Sequence, residues 1–176
     1  MKTAQEIYEI LKAKFGEDII SYTDSKLFEY TIQVAPLKVF EIGEFLRDSE
    51  ELLFDNLVLL SALDDANGKK VTRTDGSFDL EGGTLSVVYH LESTSLLHKA
   101  VLKVTVPKEK PEVESVTFVW NHANWEEREA YDMMGINFLN HPNLIRILMP
   151  YDWDAGHPLR KDYRNPEFYH GMKVPY

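Results

Sequence analysis

Closely spaced prolines after residue 136 set the strongest limit on how this chain of 176 residues folds. Proline lacks an amide hydrogen and clashes with the preceding helical turn, so it interrupts helices and central strands. Five of the eight prolines fall in this part of the chain, at positions 142, 150, 158, 166 and 175. The sequence therefore predicts a folded domain at 1–135, followed at 136–176 by an extended arm that needs a surface on which to lie.

Helical and strand patterns alternate at the start of the predicted domain. Thr3 and Glu6 have the spacing of a capping box, apolar residues follow at helical intervals, and Gly16 ends the helix. The alternating run at 27–34 predicts a half-buried strand. Pro36 suits the first turn of a second helix, because its fixed φ is already helical.

Three further strands are predicted before residue 107. Leu57–Leu63 has the continuous apolar character of a buried strand, and the other two strands cover 84–91 and 97–106. The polar stretch 64–83 between them predicts a long hairpin loop or an insertion. This order favours an α+β fold with two layers: a mixed, antiparallel-rich sheet with helices on one face, plus the extended proline-rich C-terminal arm.

Composition excludes several classes of function. The net charge is −10, so the chain lacks the basic field of nucleic-acid-binding proteins or of proteins that bind anionic lipid directly. It contains no cysteine, which excludes thiolate metal sites, ordinary iron–sulfur ligation and disulfides. Its longest apolar runs fall far short of the ~18–20 residues of a membrane span. A place at a membrane would therefore depend on another subunit.

A charged helix is predicted at about 123–134, ended by Gly135. Its apolar stripe would contain Trp125, Glu129, Met133 and Ile136. An ionised Glu129 in such a stripe is costly unless it is paired. Arg128 and Asp132 have the i,i+4 spacing of a helical ion pair.

Two interpretations of these charges remain open. The helix is either solvated on its charged side, or its charges hold it to the arm or to a partner. In the second interpretation the contacting charges of the helix are Glu127, Arg128, Glu129 and Asp132, and the counter-charges downstream are Arg146, Arg160, Lys161 and Arg164.

Two histidines of the arm each precede a proline. Residues before proline adopt extended backbone conformations, so His141 and His157 are expected to fix turns through hydrogen bonds. The six histidines show no spacing typical of a metal site, and no serine lies in a nucleophile elbow. The sequence therefore predicts no catalytic, cofactor-binding or metal-ligating residue.

Two ordered motifs resemble those of the 30 kDa subunit family of respiratory complex I, also called the C subunit of NADH-quinone oxidoreductase. The first is Glu127-Arg128-Glu129 with Asp132 and, further on, His141; the second is the run 156–162, GHPLRKD. The chain departs from the family at Ile145, where a basic residue is usual. Upstream of Pro111 the chain resembles the family only in the layout of helices and strands.

The resemblance implies a non-catalytic subunit in the peripheral arm of a proton-translocating NADH:quinone oxidoreductase. Such a subunit holds no cofactor, whereas FMN, iron–sulfur clusters and quinone belong to partner subunits. Its main expected partner is the large subunit that forms most of the quinone pocket, named the D-type large subunit below. Other peripheral-arm subunits are further expected partners, on the cytoplasmic side of the bacterial inner membrane. The residues expected at subunit interfaces are Trp125, Glu127, Arg128, Glu129, Asp132, His141, Arg146, His157, Arg160, Lys161 and Asp162.

Three alternatives stay open from the sequence. The chain is an equivalent subunit of a related membrane-bound [NiFe] hydrogenase or of a ferredoxin- or F420-linked complex, a free-standing acid–base hydrolase, or a soluble adaptor unrelated to respiration. The partners that copurify with the chain distinguish these alternatives. The arm is further expected to be mobile before assembly.

Overall fold

A computed structural model describes residues 1–25, 28–72 and 78–174. The helices in these ranges are α1 (Ala4–Phe15), α2 (Val39–Asp48) and α3 (Ala123–Met134). The first seven strands are β1 (Ile19–Ser25), β2 (Phe28–Val34), β3 (Asn56–Asp64), β4 (Lys69–Thr72), β5 (Phe78–Glu81), β6 (Thr84–Glu92) and β7 (Lys99–Pro107). Four short strands follow: β8 (Glu112–Glu114), β9 (Asn137–Leu139), β10 (Phe168–Tyr169) and β11 (Met172–Lys173). None of these helices combines the length and the apolar character that crossing a membrane requires.

The main sheet has five strands in the order β1-β2-β7-β6-β3. Strands β2 and β7 are parallel, and the other neighbouring pairs are antiparallel. Alternate residues of β6 and β7 point into one core, where they meet buried side chains from all three helices, such as Leu11, Ile42 and Ala130. The predicted α+β fold with a mixed, antiparallel-rich sheet is confirmed.

The predicted ends of the first two helices can be compared with the structure. In α1, the side chain of Thr3 accepts from the Glu6 amide and Glu6 accepts from the Thr3 amide, as predicted, and Gly16 follows with φ +55°. The prediction that Pro36 opens α2 is wrong, because that helix begins at Val39. The Lys38 amide donates to Ala35 O (3.1 Å), which makes the segment from Pro36 a separate turn.

Strand β3 is not the buried strand that its apolar run predicts. It forms an edge of the main sheet, and Val58, Leu59 and Leu63 are 49%, 45% and 46% exposed. Its pairing with β6 is irregular between Leu57 and Leu59. An apolar run does not report how many neighbours a strand has, so sequence alone cannot separate an edge strand from a central one.

The segment 64–83 contains a short hairpin of β4 and β5, in line with the predicted hairpin loop. The Asn67 side chain fixes its base by accepting from the Thr84 amide (2.8 Å). The Asp75-Gly76 turn signal lies outside the described residues, as does Leu27 of the predicted strand 27–34. Strand β1, which was not predicted, pairs with β2 and widens the sheet.

Beyond Gly135 the chain forms only short elements in the residues that the structure describes. Strand β9 pairs in parallel with β8, and β10 and β11 form a hairpin of two residues on each side. The segment between β9 and β10, 140–167, forms successive turns. Parts of this segment, mainly 145–149 and 157–160, form hydrogen bonds with α3.

Candidate functional site

Helix α3 and the segment that lies on it form the candidate site. The helix spans Ala123–Met134, as the sequence predicts, and Gly135 follows in the left-handed conformation with φ +72°. Glu127, Arg128 and Asp132 are buried. Burial of three ionisable groups in one 12-residue helix is costly unless each has specific partners.

Glu127 faces the core of the domain and ties α3 to the chain just before it. Its carboxylate accepts from the Ser115 hydroxyl (2.6 Å), the Val116 amide (2.7 Å) and the Thr117 hydroxyl (3.1 Å). No cation forms a direct hydrogen bond with it in the described part of the chain. Burial raises the pKa of Glu127 to about 7, although these three donors oppose that shift.

His141 lies next to Glu127 and fixes a turn, as predicted. Its Nε2 is 3.2 Å from Asn124 O, and its Nδ1 accepts from the Asn143 amide at 3.0 Å. A neutral ring protonated on Nε2 satisfies both contacts. Burial lowers the pKa of His141, and the positive charge of Arg128 acts in the same direction. Nε2 is 3.9 Å from Glu127 Oε2, so the contact is a polar approach to a neutral imidazole.

Asp132 points to the other side of α3 and organises the arm. One of its oxygens accepts from Arg146 Nη1 (2.7 Å), and the other accepts from the amides of Ile147, Leu148 and Met149 at 2.8–3.0 Å. Burial alone would raise the pKa of Asp132, but these donors outweigh it and hold the pKa below its usual value. Three successive amides on one carboxylate fold the arm into a fixed turn.

The run 157–160 caps the C-terminal end of α3, where carbonyl groups have no partner within the helix. His157 Nδ1 is 3.0 Å from Asp132 O, the Leu159 amide donates to Met133 O (3.1 Å), and Arg160 Nε donates to Met134 O (2.6 Å). The ring of His157 therefore carries its proton on Nδ1. Burial lowers the pKa of His157, and the positive charges of Arg160 and Arg146 act in the same direction.

Gly135 is required at the end of the helix for two reasons. Its φ of +72° is one that side chains rarely adopt. A Cβ atom at this position would also lie 2.7 Å from Arg160 Nη2 and closer still to the His157 ring. The cap therefore packs directly against the bare backbone of Gly135.

Lys161 and Asp162 join the arm to the far end of β3. The Lys161 amide donates to Asp64 Oδ2 (2.9 Å), and the same oxygen forms an ion pair with Lys108 at 2.7 Å. Lys108 also lies 3.7 Å from Asp162 Oδ1. Burial would raise the pKa of Asp64, but Lys108 and the amides lower it on balance. Sequence reasoning missed Asp64 and Lys108, because nothing in their local pattern connects them with residues 161 and 162.

The predicted environment of Glu129 is wrong, because this side chain is exposed. Trp125, in the same predicted stripe, is 63% exposed, and the core is instead met by Ala123, Ala130 and Met134. Nor do Arg128 and Asp132 pair with each other. Arg128 lies over the Trp125 ring (4.6 Å to the centroid) and donates to Ile145 O at 3.2 Å.

Large apolar side chains are exposed around this framework. They are Phe118, Trp125, Ile145, Leu148, Tyr151, Leu159, Phe168 and Met172. Tyr151 is 95% exposed and Leu148 is 60% exposed, although both belong to segments fixed by hydrogen bonds. In the ranges that the structure describes, no group of three or more His, Asp or Glu side chains is arranged to hold a metal ion. The arrangement is suited to recognition by contact.

Comparisons with known proteins agree with the two sequence motifs. Residues 32–169 match the family model described as the 30 kDa subunit of respiratory-chain NADH dehydrogenase. The chain is 40% identical over 171 residues to the C subunit of NADH-quinone oxidoreductase from Chloroherpeton thalassium, which covers 96% of this chain and 64% of that protein. It is 37% identical to the C subunit from Chlorobium phaeobacteroides, covering 100% of this chain and 98% of the relative.

Other comparisons concern a longer relative and the fold. The chain is 40% identical to the C/D subunit of NADH-quinone oxidoreductase from Acinetobacter baylyi, over 92% of its own length and 26% of that protein. A solved structure of a trypsin-resistant fragment of Nqo5 has a TM-score of 0.58 and 24% identity, covering 81% of this chain and 100% of the fragment. A chain of an archaeal membrane-bound sulfane sulfur reductase has a TM-score of 0.54 and 19% identity, covering 93% of this chain and 86% of that chain.

The solved structures support the fold, whereas the family model and the relatives support the lineage. The charged helix, the segment on its surface and the cap of residues 157–160 lie within the range that the family model matches. This chain belongs to the family of the 30 kDa subunit of respiratory-chain NADH dehydrogenase.

Proposed function

We propose that this chain is a non-catalytic subunit in the peripheral arm of a proton-translocating NADH:quinone oxidoreductase. It braces the D-type large subunit while electrons pass from NADH to quinone. FMN, the iron–sulfur clusters and quinone are bound by partner subunits, and this chain supplies a surface. The proposal extends the family relationship to a role, a set of partners and a place in the complex.

The observation that carries this proposal is a segment that is hydrogen-bonded to α3 and has exposed apolar side chains. Asp132 and the helix cap fix the segment 146–160 on α3, yet Leu148, Tyr151 and Leu159 remain exposed. Exposed apolar and aromatic side chains on an ordered segment are typical of surfaces that a partner protein covers. Because the segment is already fixed, little conformational entropy is lost when the partner binds.

The charges act first within the chain in this mechanism. Arg146 neutralises Asp132 and Lys108 neutralises Asp64, so the arm is held in register on its own domain. The combined surface of the domain and the arm then meets the large subunit. The charges between 127 and 162 were expected to fix the contact with a partner; in this mechanism they first fix the arm on its own domain.

Relatives with a combined C/D name support the choice of partner. The relative from Acinetobacter baylyi is named a C/D subunit, and this chain aligns with only 26% of its length. A C-type and a D-type subunit joined in one polypeptide stay at a high effective concentration, which suits domains that bind each other. The implied location is peripheral, on the cytoplasmic side of the bacterial inner membrane.

A second candidate is the equivalent subunit of a related membrane complex that uses another electron donor, such as a [NiFe] hydrogenase or a ferredoxin- or F420-linked oxidoreductase. The fold shared with a chain of the archaeal sulfane sulfur reductase complex keeps this candidate open. This chain would serve as a brace in either complex.

A tagged copy of the chain, recovered from mildly solubilised native membranes, tests both candidates. Copurification with a D-type large subunit and with flavin and iron–sulfur subunits, together with NADH:quinone activity, is the expected result. Recovery with a nickel-containing large subunit would favour the second candidate. Recovery of the chain alone, with no large subunit, would contradict both.

A further inference from the structure

A small polar pocket opens beside the helix cap. Its lining residues are Ala155, Gly156, His157, Arg160, Asp162, Tyr163 and Arg164. Two successive turns build its wall: the Arg160 amide donates to His157 O, and the Tyr163 amide donates to Arg160 O, both at 3.1 Å. Hydrogen bonds within the chain therefore shape the backbone of this pocket.

Arg160 is held in the pocket without a carboxylate. Its Nε donates to Met134 O (2.6 Å), and Nη2 lies against Gly135. Throughout residues 1–25, 28–72 and 78–174, no Asp or Glu side chain comes within ion-pair distance of its guanidinium group. In contrast, Arg146 pairs with Asp132 and Arg47 pairs with Asp48.

The other groups of the pocket do not neutralise this cation. Asp162 lies 3.7 Å from Lys108, which competes for its charge. His157 carries no negative charge, and its Nδ1–H donates a hydrogen bond to Asp132 O. Arg128 also lacks an acid among the described residues, but it lies over the Trp125 ring and donates to Ile145 O, whereas Arg160 lines an open polar pocket.

We propose that the pocket receives the carboxylate of an Asp or Glu side chain from the subunit that covers the arm. A guanidinium group whose Nε is already fixed presents its remaining N–H donors in a planar fork, which matches the two oxygens of a carboxylate. Arg160 thereby acts twice: it caps α3 within the chain, and it pairs with the partner. This inference rests on the proposed function, because it requires a partner subunit at the arm.

Two substitutions separate the charge of Arg160 from its capping role. Arg160→Lys and Arg160→Gln both remove the Nε–H bond to Met134 O, but only the lysine keeps the positive charge. Unfolding curves of the full chain verify that the two variants are equally folded. Affinity for the purified large subunit is then measured at low and high salt, with Lys99→Gln, an exposed cation on β7, as the control for loss of one charge.

We expect Arg160→Lys to bind more tightly than Arg160→Gln by roughly tenfold at low salt, because a desolvated ion pair at an interface contributes strongly to affinity. The difference in affinity between the two Arg160 variants should become smaller at high salt. The Lys99→Gln variant should bind with the same affinity as the unchanged chain. Equal affinities of the two Arg160 variants would overturn the inference while leaving the proposed function intact. Failure of the unchanged chain to bind the large subunit would instead contradict the proposed function.

A zero-length cross-link identifies the carboxylate itself. A carbodiimide joins amines to carboxylates but does not couple arginine, so Arg160→Lys introduces one new reactive amine into the assembled complex. The expected product links position 160 to an Asp or Glu of a partner subunit and is absent from the unchanged complex. New links that join position 160 only to acids of this same chain would overturn the inference.

Discussion

Helix α3 carries two buried carboxylates five positions apart, and the protein treats them in opposite ways. Glu127 faces the core and accepts from two hydroxyls and one amide, with no cation bound to it in the described part of the chain. Asp132 faces the arm and accepts from a guanidinium and three amides. The pKa of Glu127 is raised by burial to about 7, whereas the pKa of Asp132 is lowered.

The opposite pKa shifts of the two acids show which protonation state of each one stabilises the fold. A pKa lowered in the folded state means that the ionised form of Asp132 stabilises the fold; this contribution is present above the ordinary pKa of 3.8 and is lost as pH falls below it. A raised pKa has the reverse sign, so the contribution of Glu127 is fully present below 4.5 and is lost as pH rises through about 7. The ionised carboxylate of Asp132 stabilises the arm, whereas the protonated form of Glu127 is the more stable form in the core.

Removing Asp132 should have the largest effect. Asp132→Ala leaves Arg146 and three amides without an acceptor, so the free energy of unfolding should fall by about 3–5 kcal/mol. Denaturant unfolding measures the loss, and amide exchange should show that Ile147, Leu148 and Met149 lose protection. Unchanged protection of these three amides would contradict the view that Asp132 organises the arm.

The packing of the cap against Gly135 gives the next largest effect. Gly135→Ala combines a strained φ with a clash against His157 and Arg160, and should cost about 2–3 kcal/mol. Gly16→Ala is a matched control, because Gly16 also has a positive φ but an added Cβ atom there meets no atom within 4 Å. Only the first substitution should increase exchange at the Leu159 amide; equal exchange in both variants would show that the cap does not depend on close packing at Gly135.

The sign of the Glu127 contribution can be measured directly. Glu127→Gln removes the cost of a buried charge, so the variant should lack the fall in stability that the unchanged chain shows between pH 4.5 and about 7. At pH 8 the variant should gain on the order of 3 kcal/mol relative to its deficit at pH 4.5. If the stability of both proteins changed with pH in the same way across this range, the raised pKa could not belong to Glu127.

The exposed acid of the same helix should have the smallest effect on stability. Glu129→Ala should change the free energy of unfolding by no more than about 0.5 kcal/mol, because the side chain is exposed. We expect it to lower the amount of assembled complex in native gels without lowering turnover per assembled complex. Normal assembly with slowed quinone reduction would argue against a purely structural role.

Local signals in the sequence predicted much of the fold. The capping box at Thr3 and Glu6, the limits of α3 and the strands at 84–91 and 97–106 depend on neighbouring residues, and the structure contains them. Strand β1 was missed, and the burial of β3 was wrong, because both depend on which strands become neighbours. Sequence patterns do not carry that information.

The candidate site was predicted in part. The motifs pointed to α3 and the segment on it, and the turn-fixing role of His141 followed from the proline after it. The side chain of His157 instead contacts Asp132 O at the end of α3. Glu129 was placed on the buried side because helical spacing alone does not say which of two adjacent stripes meets the sheet. The cap of α3 could not be predicted, because its donors come from a turn whose position depends on the whole fold.

The cap of α3 also sets an order of events during protein synthesis. His157 follows Asp132 by 25 residues, so the ribosome releases the helix well before it releases the groups that complete its end. During this interval the carbonyl groups at the end of the nascent helix and the Asp132 carboxylate lack their hydrogen-bond donors. Amides and cations of a neighbouring chain can then bind to them. Slow translation between these two points would prolong the exposure, and incomplete chains are then most liable to mispair.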